Sequence, residues 1–147
     1  MTSNKGKLST SLEDYLEAIL FLESKYRVAR VKDIAAQLKV QMSSVTSALK
    51  NLKERDLVNY EKNSFISLTD KGKKIAATVR KKHDIIRNFL QSVLMLSKTE
   101  SDSAACEIEH AISIDTALRL KNCSEYFSRH LSDSGLSDDE WEKILSE

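Results

Sequence analysis

The sequence contains no proline and only three glycines in 147 residues, so it is poor in the residues that break helices or close tight turns. A mainly helical chain follows. So few glycines also leave no glycine-rich loop of the kind that cradles phosphates, which counts against nucleotide chemistry. Two cysteines, Cys106 and Cys123, are too few for a disulfide framework and read as free thiols or as one metal-ligating thiolate in a reducing compartment. No stretch approaches the roughly eighteen uncharged apolar residues of a membrane span, and no basic segment leading into a long apolar run opens the chain. These absences point to a cytoplasmic protein with no membrane partner, while 41% hydrophobic content is ordinary for a core-forming chain.

Charge is divided unevenly. Residues 1–82 carry 17 Lys/Arg against 9 Asp/Glu, a net of +8, which leaves 6 against 13, or −7, for residues 83–147. A basic first half suits a polyanionic partner, whereas an acidic second half would be repelled by one and must serve another purpose. Such runs are also common on merely solvated faces.

Hydrophobic spacing predicts the elements. Leu12, Tyr15, Leu16, Ile19 and Leu22 recur at helical intervals and mark a helix over 11–25, capped by a serine between Ser9 and Ser11. Shorter helices fit 31–38 and 43–55. After Asp56 the period shortens toward alternation, with Leu57, Val58 and Tyr60 and then Phe65, Ile66 and Leu68 flanking a polar tip, which reads as a hairpin. A long helix capped by Thr69 or Asp70 should run to about residue 95, followed by helices over 101–113 and 115–128 and a last turn or two around Trp141. The chain shows no internal repeat.

Helix, short turn, helix, hairpin is the order of a winged helix-turn-helix, whose second motif helix enters the DNA major groove. The expected architecture is mainly α, with a DNA-binding domain over 1–70 and a linker helix and helical dimerisation domain over 71–147. On the recognition helix Ser43, Ser44, Thr46, Ser47 and Lys50, with Gln41 just ahead, offer short hydroxyls and one cation that can approach bases and phosphates. Lys62 at the hairpin tip would face a phosphate or the minor groove. A serine-rich solvated face is the alternative for the helix, and the adjoining hairpin and basic excess weigh against it.

Three further clusters carry potential ligands. Asp14 and Glu17 are neighbours on the first helix, opposite its apolar stripe, and alone would read as a solvated face. Cys106, Glu109 and His110 stand at i, i+3 and i+4, with Ala104, Ile108 and Ala111 on the other face. A thiolate, a carboxylate and an imidazole so placed suit a first-row divalent ion, and an amphipathic helix with an inert cysteine is the alternative. His83 lies on the apolar stripe of the long helix, where a histidine is commonly a satisfied core residue.

From Ser11 to Ser113, about two-thirds of the chain, the sequence resembles the diphtheria toxin repressor family of metal-dependent regulators, in its short manganese-regulator form without an SH3-like domain. The matching stretches are Leu12-Glu13-Asp14-Tyr15-Leu16-Glu17, Ser43-Ser44-Val45-Thr46, Leu68-Thr69-Asp70-Lys71-Gly72, and Glu109-His110 with Ser113 beyond. The resemblance implies a repressor that binds operator DNA as a homodimer when loaded with a divalent transition metal and controls metal-uptake genes. It also implies the ligand set Asp14, Glu17, His83, Cys106, Glu109 and His110, for one ion or a close pair. Cys106 departs from the manganese branch, where a glutamate is expected, and Asp14 departs from the iron branch, where a methionine is. Fe(II) or Mn(II) is the expected cofactor, with Zn(II) or Co(II) as softer alternatives favoured by the thiolate. A winged-helix regulator responding to a small organic ligand, or to none, is the competing reading. A metalloenzyme is disfavoured: no separate nucleophile or base accompanies the ligands, six of which would leave little open coordination, and no small organic substrate is expected.

Overall fold

The computed structural model describes residues 7–147. These form seven helices and one two-stranded sheet: α1 (Thr10–Tyr26), α2 (Val31–Leu38), α3 (Met42–Glu54), β1 (Val58–Asn59), β2 (Ser67–Leu68), α4 (Asp70–Ser92), α5 (Lys98–Ile108), α6 (Ile114–Ser134) and α7 (Asp138–Leu145). The chain divides into two compact units, one up to Val79 and one from Arg80, with the division falling inside α4. No helix among the described residues is long and apolar enough to cross a membrane.

The first unit is a winged helix-turn-helix. Ser9 caps α1 by accepting a hydrogen bond from the Leu12 N–H, and the helix buries Tyr15, Leu16, Ala18, Ile19 and Leu22. Helices α1, α2 and α3 pack on one another, with α1 also against β2 and α3 against β1. Their shared core includes the fully buried Leu16, Ile19, Ile34, Leu49, Leu52 and Ile66, each stabilising the unit by about 1.5–3 kcal/mol through burial. The wing is antiparallel, pairing Val58 with Leu68 and Asn59 with Ser67, and a bridge between Ala29 and Ile66 ties it to the segment entering α2.

The scarcity of glycine shows at the helix ends. Arg27, Lys39 and Asp56 occupy the left-handed conformation (φ 64°, 55° and 59°) that glycine normally supplies. After α2 and α3 the Val40 N–H returns to the Ala35 carbonyl (3.0 Å) and the Leu57 N–H to the Leu52 carbonyl (2.9 Å), so the helices stop sharply despite the strain. Glycine appears instead where backbones meet: a β-carbon on Gly72 would collide with the Leu57 carbonyl oxygen. Thr69 holds that approach, accepting from the Gly72 N–H and donating its hydroxyl to the Asp56 carbonyl.

In the second unit Ile86, Leu90 and Ala105 form a small core with Phe89, Leu96, Ala104, Ile108, Ile112 and Leu120. Its boundaries differ from the expected ones for identifiable reasons. Helix α4 stops at Ser92 rather than near 95, because Met95 turns left-handed (φ 57°) and the Leu96 N–H reaches back to the Leu90 carbonyl. Helix α5 starts at Lys98 rather than 101, since Ser97 and Glu100 form a reciprocal capping box, and it ends at Ile108 rather than 113. Ser113 caps α6 instead, and α6 continues past 128 to Ser134, where Gly135 ends it (φ 72°). Ala111, expected on the covered face, is exposed. Trp141 of α7 donates its indole N–H to the Val93 carbonyl (2.7 Å) and packs on Phe127.

Candidate metal centre and nucleic-acid interface

The apolar positions of α3, Val45, Leu49 and Leu52, face the core and leave the opposite side to solvent. Gln41, Ser43, Ser44, Ser47 and Lys50 are all exposed there, as is Lys62 at the wing tip. Thr46 is placed differently: it is half-buried and its hydroxyl donates to the Met42 carbonyl (3.0 Å), leaving only acceptor capacity for an outside partner. The concave surface between α3 and the wing holds further cations that the spacing argument passed over. The Arg30 guanidinium lies over the Phe65 ring (5.0 Å to the centroid), and Lys53 donates to the Tyr60 carbonyl (2.8 Å) at the root of the wing. Arg30 lies outside the recognition helix, so helix periodicity carries no signal for it.

In the second unit the structure gathers four of the residues singled out as ligands. Glu109 is buried (1% exposed), and its carboxylate lies between two imidazoles: Oε2 is 2.7 Å from His83 Nδ1 and Oε1 is 3.3 Å from His110 Nε2. With Glu109 ionised, the carboxylate accepts this first bond from the Nδ1–H tautomer of His83. Cys106 Sγ lies 3.8 Å from the same nitrogen. His83 comes from α4, Cys106 from the last turn of α5, and Glu109 and His110 from the turn that follows, where the Glu109 N–H still bonds to the Ala105 carbonyl. Asp14 and Glu17 belong to the first unit, three residues apart on α1 and both half-buried.

The other face of the His83 ring meets a residue missed in the sequence. Asp102 Oδ1 lies 3.6 Å from Nε2 and the same distance from Arg87, which also pairs with Asp84 (3.3 Å). Asp102 stands one helical turn before Cys106, so extending the i, i+4 rule by one turn would have found it. Burial lowers the His83 pKa below 6.5, helped by Arg80 and Arg87 and opposed by Asp84 and Asp102. Lowering favours the neutral imidazole that ligation needs. Two imidazoles, a carboxylate and a thiol within a few ångströms form a mixed N, O, S donor set, which fits a first-row divalent ion better than a hard alkaline-earth ion. Cys123 and His130 lie outside this cluster on the exposed side of α6, where His130 stacks on Tyr126.

A winged helix-turn-helix joined by its linker helix to a helical unit with this donor set defines a metal-responsive DNA-binding regulator. The sequence matches the iron dependent repressor N-terminal DNA binding domain over residues 7–65 and the iron dependent repressor metal binding and dimerisation domain over residues 69–144. It is 38% identical over 121 residues to an uncharacterized HTH-type transcriptional regulator of Methanocaldococcus jannaschii, covering 82% of this chain and 97% of that one. To the HTH-type transcriptional regulator MntR of Shouchella clausii it is 35% identical over 120 residues, 82% of this chain and 83% of the relative. Among solved structures the manganese regulator SloR superposes with a TM-score of 0.69 at 31% identity, over 78% of this chain. The match takes in 54% of SloR, so the chain spans about half the length of that structure. The chain belongs to the iron-dependent repressor family of metal-dependent transcriptional regulators.

Proposed function

We propose that the protein represses transcription by binding operator DNA as a homodimer when Fe(II) or Mn(II) is bound, and that its targets are genes for metal uptake. The buried Glu109 carboxylate between His83 and His110 is the observation that carries the metal-sensing part of this reading. The proposed ligands are Asp14, Glu17, His83, Cys106, Glu109 and His110. A bound ion would supply the positive charge that this set of acidic and neutral donors is built to balance. Glu109 orients both imidazoles, Asp102 and Arg87 brace the far side of His83, and Cys106 adds the softest donor. Because the six donors are divided between α1 and the second unit, loading and operator affinity are linked, and the arrangement that serves both is populated.

On the DNA side, Ser43, Ser44, Ser47 and Lys50 supply the major-groove contacts, with Gln41 and Thr46 beside them and Lys62 on an adjoining phosphate. The exposed placement of Gln41, Ser43, Ser44, Ser47 and Lys50 against a buried Val45, Leu49 and Leu52 supports that assignment. Dimer formation is assigned to the second unit, the part that matches the dimerisation domain. Ser47→Glu tests the reading, since a carboxylate placed against bases and phosphates should abolish duplex binding while metal binding and thermal stability stay unchanged. Wild-type duplex affinity in that variant would remove α3 from the interface.

A further inference from the structure

The wing carries an exposed aromatic that neither the core nor the recognition helix explains. Phe65 is 53% exposed and sits one residue before Ile66, which is fully buried and bridges to Ala29. In an antiparallel bridge the residue before one partner faces the residue after the other, so Ala29 with Ile66 sets Arg30 opposite Phe65. Alternation puts this second pair on the outer face, and there the Arg30 guanidinium lies 5.0 Å from the ring centroid. The Ile66 N–H donates to the Ala29 carbonyl at 2.9 Å, so the register is held by backbone as well as by burial.

A guanidinium held over a ring face is drawn there by the ring's negative quadrupole, and its N–H donors remain available to an outside acceptor. Arg30 so held is a planar fork suited to gripping two oxygens of one phosphate. Its surroundings match that ligand: the same concave surface is lined by Lys32, Lys50, Lys53 and Lys62 against a single acid, Glu61.

We propose that Phe65 is a positioning residue that holds Arg30 as a bidentate clamp for a DNA backbone phosphate, making the wing side of the concavity between α3 and the wing a phosphate seat beside the base-reading residues of α3. This rests on the DNA-binding reading above. The clamp contributes affinity irrespective of sequence, because phosphate contacts carry no base information. Ordering Arg30 before binding removes part of the entropy cost of fixing a long side chain.

The test uses the full-length protein, loaded with Mn(II), and a fluorescein-labelled duplex of about 30 random base pairs, with anisotropy measured across a salt series. Arg30→Gln should lower the magnitude of the log K against log salt slope by about 0.9, the counterion share of one phosphate. Phe65→Leu keeps every charge, so the slope should stay as in wild type while affinity falls about two- to five-fold, the scale of an exposed cation–π contact. Phe65→Trp should restore affinity, since tryptophan offers the better π face. If the wild-type protein shows no salt-dependent duplex binding, the DNA-binding reading itself fails. If it binds and Arg30→Gln keeps the wild-type slope, the clamp alone is overturned. An unchanged affinity in Phe65→Leu overturns the positioning role, and melting curves exclude misfolding as the cause of a fall.

Discussion

Glu109 Oε2 and His83 Nδ1 lie 2.7 Å apart although 26 residues separate them in the chain. Both side chains are buried, so the hydrogen bond is made where water competes least. Ligation through that nitrogen requires the Nε2–H tautomer, a shift that releases no proton from a neutral ring. Protonated imidazoles cannot ligate, so apparent Mn(II) affinity should fall as the solution is acidified through the range in which the histidines charge. Mn(II) titration across a pH series reads this directly, and an affinity independent of pH between about 5 and 8 would exclude the histidines as ligands.

His110→Ala and Glu109→Ala should each weaken Mn(II) and Fe(II) binding by at least about tenfold, since even residues that only brace a ligand cost about 10–100-fold when lost. His130→Ala, on the exposed side of α6, should leave affinity unchanged. Equal effects from all three would show that the cluster is not the sensor.

On the proposed ligand set, Cys106 should set preference among metals rather than binding as such. Cys106→Glu should replace a soft donor by a hard one, raising affinity for Mn(II) relative to Zn(II) and Co(II). Competition titration with pairs of these ions checks the direction, and an unchanged Mn(II)-to-Zn(II) ratio would remove the thiolate from the first coordination shell.

Gly72→Ala should destabilise the winged unit by about 1–3 kcal/mol, because the added methyl meets the backbone oxygen of Leu57 rather than a side chain able to swing away. Urea unfolding measures it. The effect should vanish if the first turn of α4 does not pack on the wing as described.

The capping boxes give the helical unit an acid limit. Glu100 and Glu140 have pKa values lowered from 4.5 by hydrogen bonds from the hydroxyl and backbone N–H of Ser97 and Ser137. A carboxylate with a depressed folded value stabilises the fold above its unfolded pKa, and that contribution is lost as pH falls through the folded one. Protection of the first amides of α5 and α7 against hydrogen exchange should decline below about pH 4.5. In Ser97→Ala the Glu100 pKa should return toward 4.5.

The winged unit was legible in the sequence because its signals are local: the apolar spacing of Leu16, Ile19 and Leu22, and the switch to alternation at Leu57, each declare one element. The second unit was legible in outline and blurred at its ends. Ser97-x-x-Glu100 is a readable capping box, yet weak apolar periodicity around Ala104 and Ala105 drew the helix start inward to 101. Met95 ends α4 in a left-handed conformation that glycine or asparagine would have announced and methionine does not. His83 and Glu109 carry no mutual signal across 26 residues, and only the family resemblance joined them. Arg30 and Phe65 meet through a bridge register that depends on tertiary pairing, which no spacing rule reaches.

The central claim is that metal occupancy sets DNA affinity, and its most direct test is anisotropy of a labelled duplex selected from genomic fragments by the Mn(II)-loaded protein. With the protein held at fixed concentration, affinity should rise about 5- to 150-fold as Mn(II) or Fe(II) is added, return on chelation, and stay at the chelated level in His110→Ala. Equal affinity in chelator and in saturating metal, or full metal activation of His110→Ala, would contradict the account at its centre.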